Sequence, residues 1–194
     1  MRYNAQVRVE GLTKVSETQF KSEIAKRLKS VRQQKSLSLD ATSKLTGVSK
    51  AMLGQIEREE SNPTISTLWK IASGLETSFS AFFATDPSLQ ESAMTFPDDP
   101  KMQVKTLFPF QSDTGIEVFE ITLNDFHQQD STPHEHGVVE HIHVIEGELA
   151  LKCGEDWHQL LSGDSHRFFA DQNHAYKASS ESVVFHCIIS YPHK

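Results

Sequence analysis

Between about Phe20 and Phe83 the apolar residues of this chain recur at helical spacing, and beyond about Val104 they alternate every second position. A 3.6-residue period and a two-residue period bury their faces in different ways, so this change divides the chain into an α part and a β part. At 194 residues the chain is long enough for two small cores. In the first part Ile24, Leu28 and Val31 repeat along one helix face. Ser38-Leu39-Asp40 offers a capping start, and Thr64 or Ser66 can cap a helix after Pro63, whose apolar face is Ile65, Leu68 and Ile71. Phe79, Phe82 and Phe83 are expected to close the bundle. In the second part the segments IEVFEITL, EHIHVIEGELALKC, RFFA and SVVFHCII alternate between turn signals at Gly147, Gly154, Gly163 and Asn173. That pattern predicts a small β-barrel or sandwich. The stretch between the parts, Asp86 to Val104, holds three prolines and four acidic residues and reads as a linker. The expected organisation is an arm at 1–18, a helical domain at 19–84, a linker at 85–103 and a β domain at 104–194.

Charge follows the same division. The formal net charge is −7, yet residues 1–84 carry 13 Lys/Arg against 8 Asp/Glu, and residues 85–194 carry 6 against 18. A basic head attracts phosphate while an acidic body keeps clear of it. All ten histidines fall between His127 and His193, in the acidic body. Cys153 and Cys187 form no CxxC and fit no metal-ligand spacing, so they read as free thiols in a reducing compartment. No apolar run approaches a membrane span, and the N-terminal segment has no apolar secretory core, so a cytoplasmic protein without membrane contact is expected.

Within the head, residues 47–57 (GVSKAMLGQIE) read as the turn and second helix of a helix-turn-helix. Gly47 supplies the tight turn, Val48 anchors it and Ser49 caps the following helix. Leu53 and Ile56 face inward, which leaves Lys50, Ala51, Gly54 and Gln55 towards a DNA major groove. Glu59 follows that helix where a left-handed cap would be strained for a side chain, so the helix is expected to run on or end differently.

The body's most informative string is PHEHGVVEHIHVIEGEL, residues 133–149. On a strand His134 and His136 would point the same way, with Glu140 an even number of residues further on and Gly137 able to change the count through a bulge. Two imidazoles and a carboxylate converging inside a barrel suit a divalent transition ion, and His174 is the best candidate for a fourth ligand. His141 and His143 fall on the opposite face, towards solvent or a partner. Trp157, Phe168, Phe169, Tyr176 and Phe185 could wall an apolar cavity, and Arg167 could take a ligand carboxylate.

These motifs carry two resemblances. Residues from about Glu23 to Phe83, through Gly47-Val48-Ser49, Gln55-Ile56-Glu57-Arg58, Asn62-Pro63-Thr64 and Thr67-Leu68-Trp69-Lys70-Ile71-Ala72, resemble the XRE (Cro/phage-repressor type) helix-turn-helix family. The resemblance implies that Lys50, Ala51 and Gln55 face bases, that Ser38, Ser49 and Asn62 face phosphates, and that Arg32 pairs with Glu57. Residues 104–191 resemble the cupin superfamily through HxH, Glu140, Gly147, Gly163-Asp164 and His174. That implies a metal held by His134, His136, Glu140 and His174, with Zn foremost and Ni, Fe, Mn or Co also suited. A ligand pocket with Arg167, Phe169 and Tyr176 is expected beside it.

A head and body of these kinds together resemble ligand-responsive bacterial regulators. The expected function is sequence-specific regulation of transcription, without enzyme activity. The chain would act as a homodimer on near-palindromic double-stranded DNA, with the cupin sensing a small metabolite such as an amino acid or derivative. Two alternatives stand beside it: a metal-dependent cupin enzyme tethered to the head, and a constitutive DNA-binding protein whose cupin only dimerises.

Overall fold

A computed structural model of the chain describes residues 17–82, 94–96 and 99–192, with side chains for 21–82 and 99–192. The expected arm up to residue 16, Phe83, most of the expected linker and His193 lie outside the described residues.

The head is four helices: α1 (Glu17–Gln34), α2 (Leu39–Thr46), α3 (Lys50–Glu57) and α4 (Ile65–Gly74), followed by a single 3-10 turn at Ser80–Phe82. The starts of α2, α3 and α4 are fixed by side-chain caps. Ser38 accepts from Ala41 N, Ser49 from Met52 N and Thr64 from Thr67 N, each satisfying a first-turn amide that the helix itself cannot. Between α2 and α3, Gly47 takes φ +67° and donates its N–H to Ser43 O, which turns the chain sharply enough to drop Val48 into the core. Ile24, Leu28, Leu53, Ile56, Leu68 and Ile71 meet there, all fully or almost fully buried.

The end of α3 departs from expectation. Glu59 adopts φ +60°, donating its N–H to Ile56 O, while Glu60 N donates to Gln55 O at 2.8 Å. This is the paired closing bond of a Schellman cap, so the last carbonyls of α3 gain acceptable donors despite the cost of a side chain in the left-handed region.

The body is two antiparallel sheets. The first runs β1 (Met94–Phe96), β2 (Asp99–Gln111), β3 (Ile116–Asn124), β10 (Ser182–Ser190), β5 (Val139–Glu146) and β8 (Ser165–Phe169). The second runs β4 (Gln128–Ser131), β9 (His174–Ala178), β6 (Glu148–Cys153) and β7 (Asp156–Leu161). The segment read as a linker therefore contains β1 and the start of β2, which pair with each other. The proline signal misled there because Pro100 is the second residue of β2, ahead of the pairing with β3 that begins at Met102, where a missing N–H is tolerated. Inward alternation is regular in β3, where Glu117, Phe119, Ile121 and Leu123 are buried and their neighbours are half-buried.

Head and body are packed together. Glu117, inside the mouth of the barrel, accepts from Phe79 N (3.2 Å) and Ser80 N (3.0 Å) of the 3-10 turn, and also from Tyr191 Oη. Ser80 Oγ in turn accepts from Phe110 N at 2.9 Å. Trp69 of α4 stacks on Phe79 (ring centroids 4.2 Å, 12° between planes), and both meet the edge of Phe119. The phenylalanine expected to close the helical bundle thus joins it to the barrel.

Candidate metal centre and nucleic-acid interface

On the head, Ser49, Lys50, Ala51 and Gln55 are exposed along the start and outer face of α3, and Ser38 is exposed at the start of α2. Asn62 is half-buried in the loop before α4. Gly54 does not face outward: it is buried, with the Arg58 guanidinium over it at 3.0 Å from where a Cβ would stand. Arg32 grips Glu57 with two bonds, Nε to Oε1 at 2.6 Å and Nη2 to Oε2 at 2.8 Å, and donates from Nη1 to Leu37 O. The planar fork fixes the angle of α3 against α1, and the adjacent carboxylate raises the Arg32 pKa.

In the barrel, the structure brings together His134, Glu140 and His174. Their ligand atoms lie within 4.8 Å of one another. Side-chain exposure is 6% for His134, 1% for Glu140 and 0% for His174. Glu140 comes from β5, His174 from β9 in the opposite sheet, and His134 from the loop before β5. His134 Nε2 is 2.9 Å from Glu140 Oε1, and His174 Nε2 is 3.6 Å from the same oxygen. Tyr176, two residues along β9 and so on the same face as His174, donates to Glu140 Oε2. The Cys187 thiol of β10 lies 3.4 Å from that oxygen.

Burial would keep the Glu140 carboxyl neutral, but the hydrogen bond from His134 and the charges of His174 and His134 outweigh it and hold its pKa down to about 2. Burial pushes the His174 imidazole the other way, below its ordinary value. The same burial raises Tyr176 and Cys187, which therefore keep their protons and donate them.

His174 supplies the best test of whether these residues fit a metal. Its Nδ1 is 2.9 Å from Gln172 O, which fixes the proton on that nitrogen. Nε2 then carries a lone pair, is buried, and has no hydrogen-bond partner. A backbone carbonyl orienting one nitrogen while the other faces a carboxylate is the arrangement of a histidine prepared for ligation. Two imidazoles and one carboxylate fit a divalent transition ion with positions left open.

His136 is not part of this group. Its side chain is 99% exposed, with Nδ1 2.8 Å from Asp171 Oδ2. The expectation that it shares a face with His134 assumed a strand, but β4 ends at Ser131 and β5 begins at Val139. Between them Val138 N bonds to Glu135 O in a tight turn, with Gly137 at φ +87° and its N–H on Asp171. The turn reverses the second histidine outward. The expected pocket residues also separate. Tyr176 is inside, but Phe169 is 51% exposed with Arg167 over its ring at 5.1 Å, and Trp157 is exposed too. Odd-numbered residues of β8 face out, which removes Arg167 and Phe169 together.

Sequence reasoning missed what closes the centre. Trp69 of the head lies on the His134 ring at 4.7 Å. The void beside the cluster is only about 20 Å³ and is lined partly by Ile65, Trp69 and Phe79, all from the head. It has room for about one water or ion and no metabolite. A larger cleft of about 490 Å³ lies next to it along the seam, between Arg27, Trp69 and Thr77 on one side and His134, Glu135 and Tyr191 on the other.

A helix-turn-helix family model matches residues 28–82 and a cupin-domain model matches residues 126–189. Over 166 residues, 85% of this chain and 93% of the relative, the sequence is 45% identical to the HTH-type transcriptional regulator SutR of Escherichia coli (strain K12). The chain belongs to the HTH-type transcriptional regulators. This regulator is also similar to the crystal structure of a helix-turn-helix family transcriptional regulator from Vibrio cholerae, at 60% identity and a TM-score of 0.88, covering 91% of this chain and 99% of that one. The regulator is thus a DNA-binding protein of XRE type with a cupin domain. Among its described residues no helix is long and apolar enough to cross a membrane.

Proposed function

We propose that this regulator reads DNA through α3 and holds a divalent ion at His134, Glu140 and His174, and that a small effector acts by changing how the head sits on the barrel. The observation that carries the reading is the contact of Trp69 with His134. One face of that indole touches an expected ligand, and the tryptophan belongs to the DNA-binding domain. Any change at the metal centre that moves His134 has a direct mechanical path into α4. Ser49, Lys50, Ala51 and Gln55 would meet the major groove, with Ser38 and Asn62 on phosphates. An effector in the seam cleft, or one that displaces Trp69 from the barrel mouth, would favour one placement of the head by its differential affinity. As a homodimer the protein would span a near-palindromic operator, so a change in head placement alters the fit to both half-sites. The closed centre supports a sensor over an enzyme, since no substrate fits beside the ion while the head is docked.

The test uses protein purified without chelators, examined by native mass spectrometry and elemental analysis, and then by tryptophan emission. Trp157→Phe leaves Trp69 as the sole tryptophan. The expected result is a stoichiometric metal lost in His174→Ala, with Trp69 emission changing on chelation and not changing in Glu140→Gln. Absence of metal after reconstitution, or Trp69 emission indifferent to it, overturns the reading.

A further inference from the structure

Cys153, His158 and His166 form a second cluster, away from the centre described above. Cys153 ends β6, His158 lies on β7 and His166 on β8. β7 is the outer strand of the four-stranded sheet and β8 the outer strand of the six-stranded sheet, so the cluster sits where the two sheet edges meet. The register places Leu151 opposite His158 and Cys153 opposite Asp156, which puts Cys153 diagonally beside His158 on the inward face. The turn from β7 to β8 brings His166 against His158, with ring centroids 4.5 Å apart and planes 32° from parallel. One sulfur and one nitrogen from each ring lie within 4.8 Å of one another, and all three residues are half-buried. Phe168 stands between this cluster and His174, at 6.5 Å from the His166 ring and 5.3 Å from the His174 ring.

Two further observations bear on these side chains. Among the described residues, none of the three makes a side-chain hydrogen bond or ion pair, so their donor atoms are not committed to holding the fold. Burial and the neighbouring His158 hold His166 below its ordinary value.

We propose that Cys153, His158 and His166 are a second metal site, taking a borderline-to-soft transition ion such as Zn(II) with one sulfur and two imidazole ligands. This donor set is softer than that of Glu140 and its two histidines, so the two sites differ in the ions they prefer. Three protein ligands leave a fourth tetrahedral position for water or an exogenous ligand at the barrel edge. Burial, with the charges of Glu140 and Asp156, pushes the Cys153 thiol up to about 11. Metal binding therefore releases a proton. The site does not depend on the proposal made for the barrel centre.

Co(II) is the probe, titrated into the full chain under a phosphine reductant. Thiolate ligation gives a near-ultraviolet sulfur-to-cobalt charge-transfer absorption that imidazole and carboxylate ligands do not give. The expected result is such a band, absent in Cys153→Ser, retained in Glu140→Gln and in Cys187→Ser, and requiring about tenfold more Co(II) in His158→Ala or His166→Ala. Circular dichroism of each variant checks that it is folded. Without any substitution, Co(II) should also slow alkylation of Cys153, read by peptide mass. Absence of the band, its survival in Cys153→Ser, its loss in folded Cys187→Ser, or unchanged alkylation of Cys153 overturns the proposal. A band with a single bound equivalent that Glu140→Gln leaves intact would uphold this site and reject the barrel-centre one.

Discussion

The seam around Glu117 and the barrel centre around Glu140 each bury a glutamate almost completely, yet the two carboxyls behave in opposite ways. Glu117 is surrounded by neutral donors, the amides of Phe79 and Ser80 and the Tyr191 phenol, and burial raises its pKa. Glu140 is surrounded by two imidazoles, and its pKa falls to about 2. Burial alone does not set the charge of a buried acid; the charge of its partners does. The consequence for function is a division of roles. A buried carboxyl held by backbone amides ties two domains together without a counter-charge. An ionised acid beside a bare imidazole nitrogen suits the cation proposed for that centre.

Substitution at the seam should have the largest effect. Glu117→Ala would leave two amides without an acceptor, at about 1–3 kcal/mol each, and should loosen the head from the barrel. Denaturant unfolding and proteolysis between the domains would show it; a variant as stable and as resistant as the parent would mean that Glu117 is no latch. Next in size, Glu140→Gln should abolish metal binding at the centre while the seam stays intact, read by elemental analysis beside Trp69 emission. Tyr176→Phe removes a donor to Glu140 but no ligand, and is expected to weaken metal affinity about tenfold. Competition with a chromogenic chelator measures that, and a complete loss would promote Tyr176 to a ligand.

A smaller effect follows from the sign of the Glu117 shift. A raised carboxyl stabilises the fold fully below its ordinary value of 4.5, and the contribution falls away as pH rises through its folded value. Wild-type protein should therefore lose stability relative to Glu117→Gln as pH rises, in urea titrations at a series of pH values. Parallel curves would show that the Glu117 carboxyl is not raised in the folded protein. On the DNA side, Lys50→Ala should lower affinity for a selected operator more than for random duplex, by about 1–3 kcal/mol of discrimination if it reads a base. Equal losses would place Lys50 on phosphate.

Much of the head was legible in the sequence because its signals are local. Ser38, Ser49 and Thr64 are caps, Gly47 is a turn, and Ile24, Leu28 and Ile56 repeat at helical spacing, so each could be recognised within a few residues. In the barrel, Glu140 and His174 came from a spacing pattern, while Tyr176 stood only among several aromatics able to wall a cavity. His136 went astray because alternation was applied across a segment that turns at Gly137. Cys153, His158 and His166 carry no such signal, since three strands bring them together and no short spacing records it. The seam left a fainter trace. In IEVFEITL the two-residue period already places Glu117 on the same face as Phe119 and Ile121, an acid among buried neighbours that required a partner. That partner, the backbone at Phe79 and Ser80, has no side-chain signature to find.

The indole over His134 bears on time as well as geometry. A small molecule approaching the centre from the head's side can enter only during the moments when α4 has lifted. Its observed association rate would then climb with concentration and level off at the rate of that lifting, however tightly it finally binds. Under the proposed reading, a response triggered at the centre would have a built-in fastest speed, set by the contact between two aromatic rings and not by the supply of its signal.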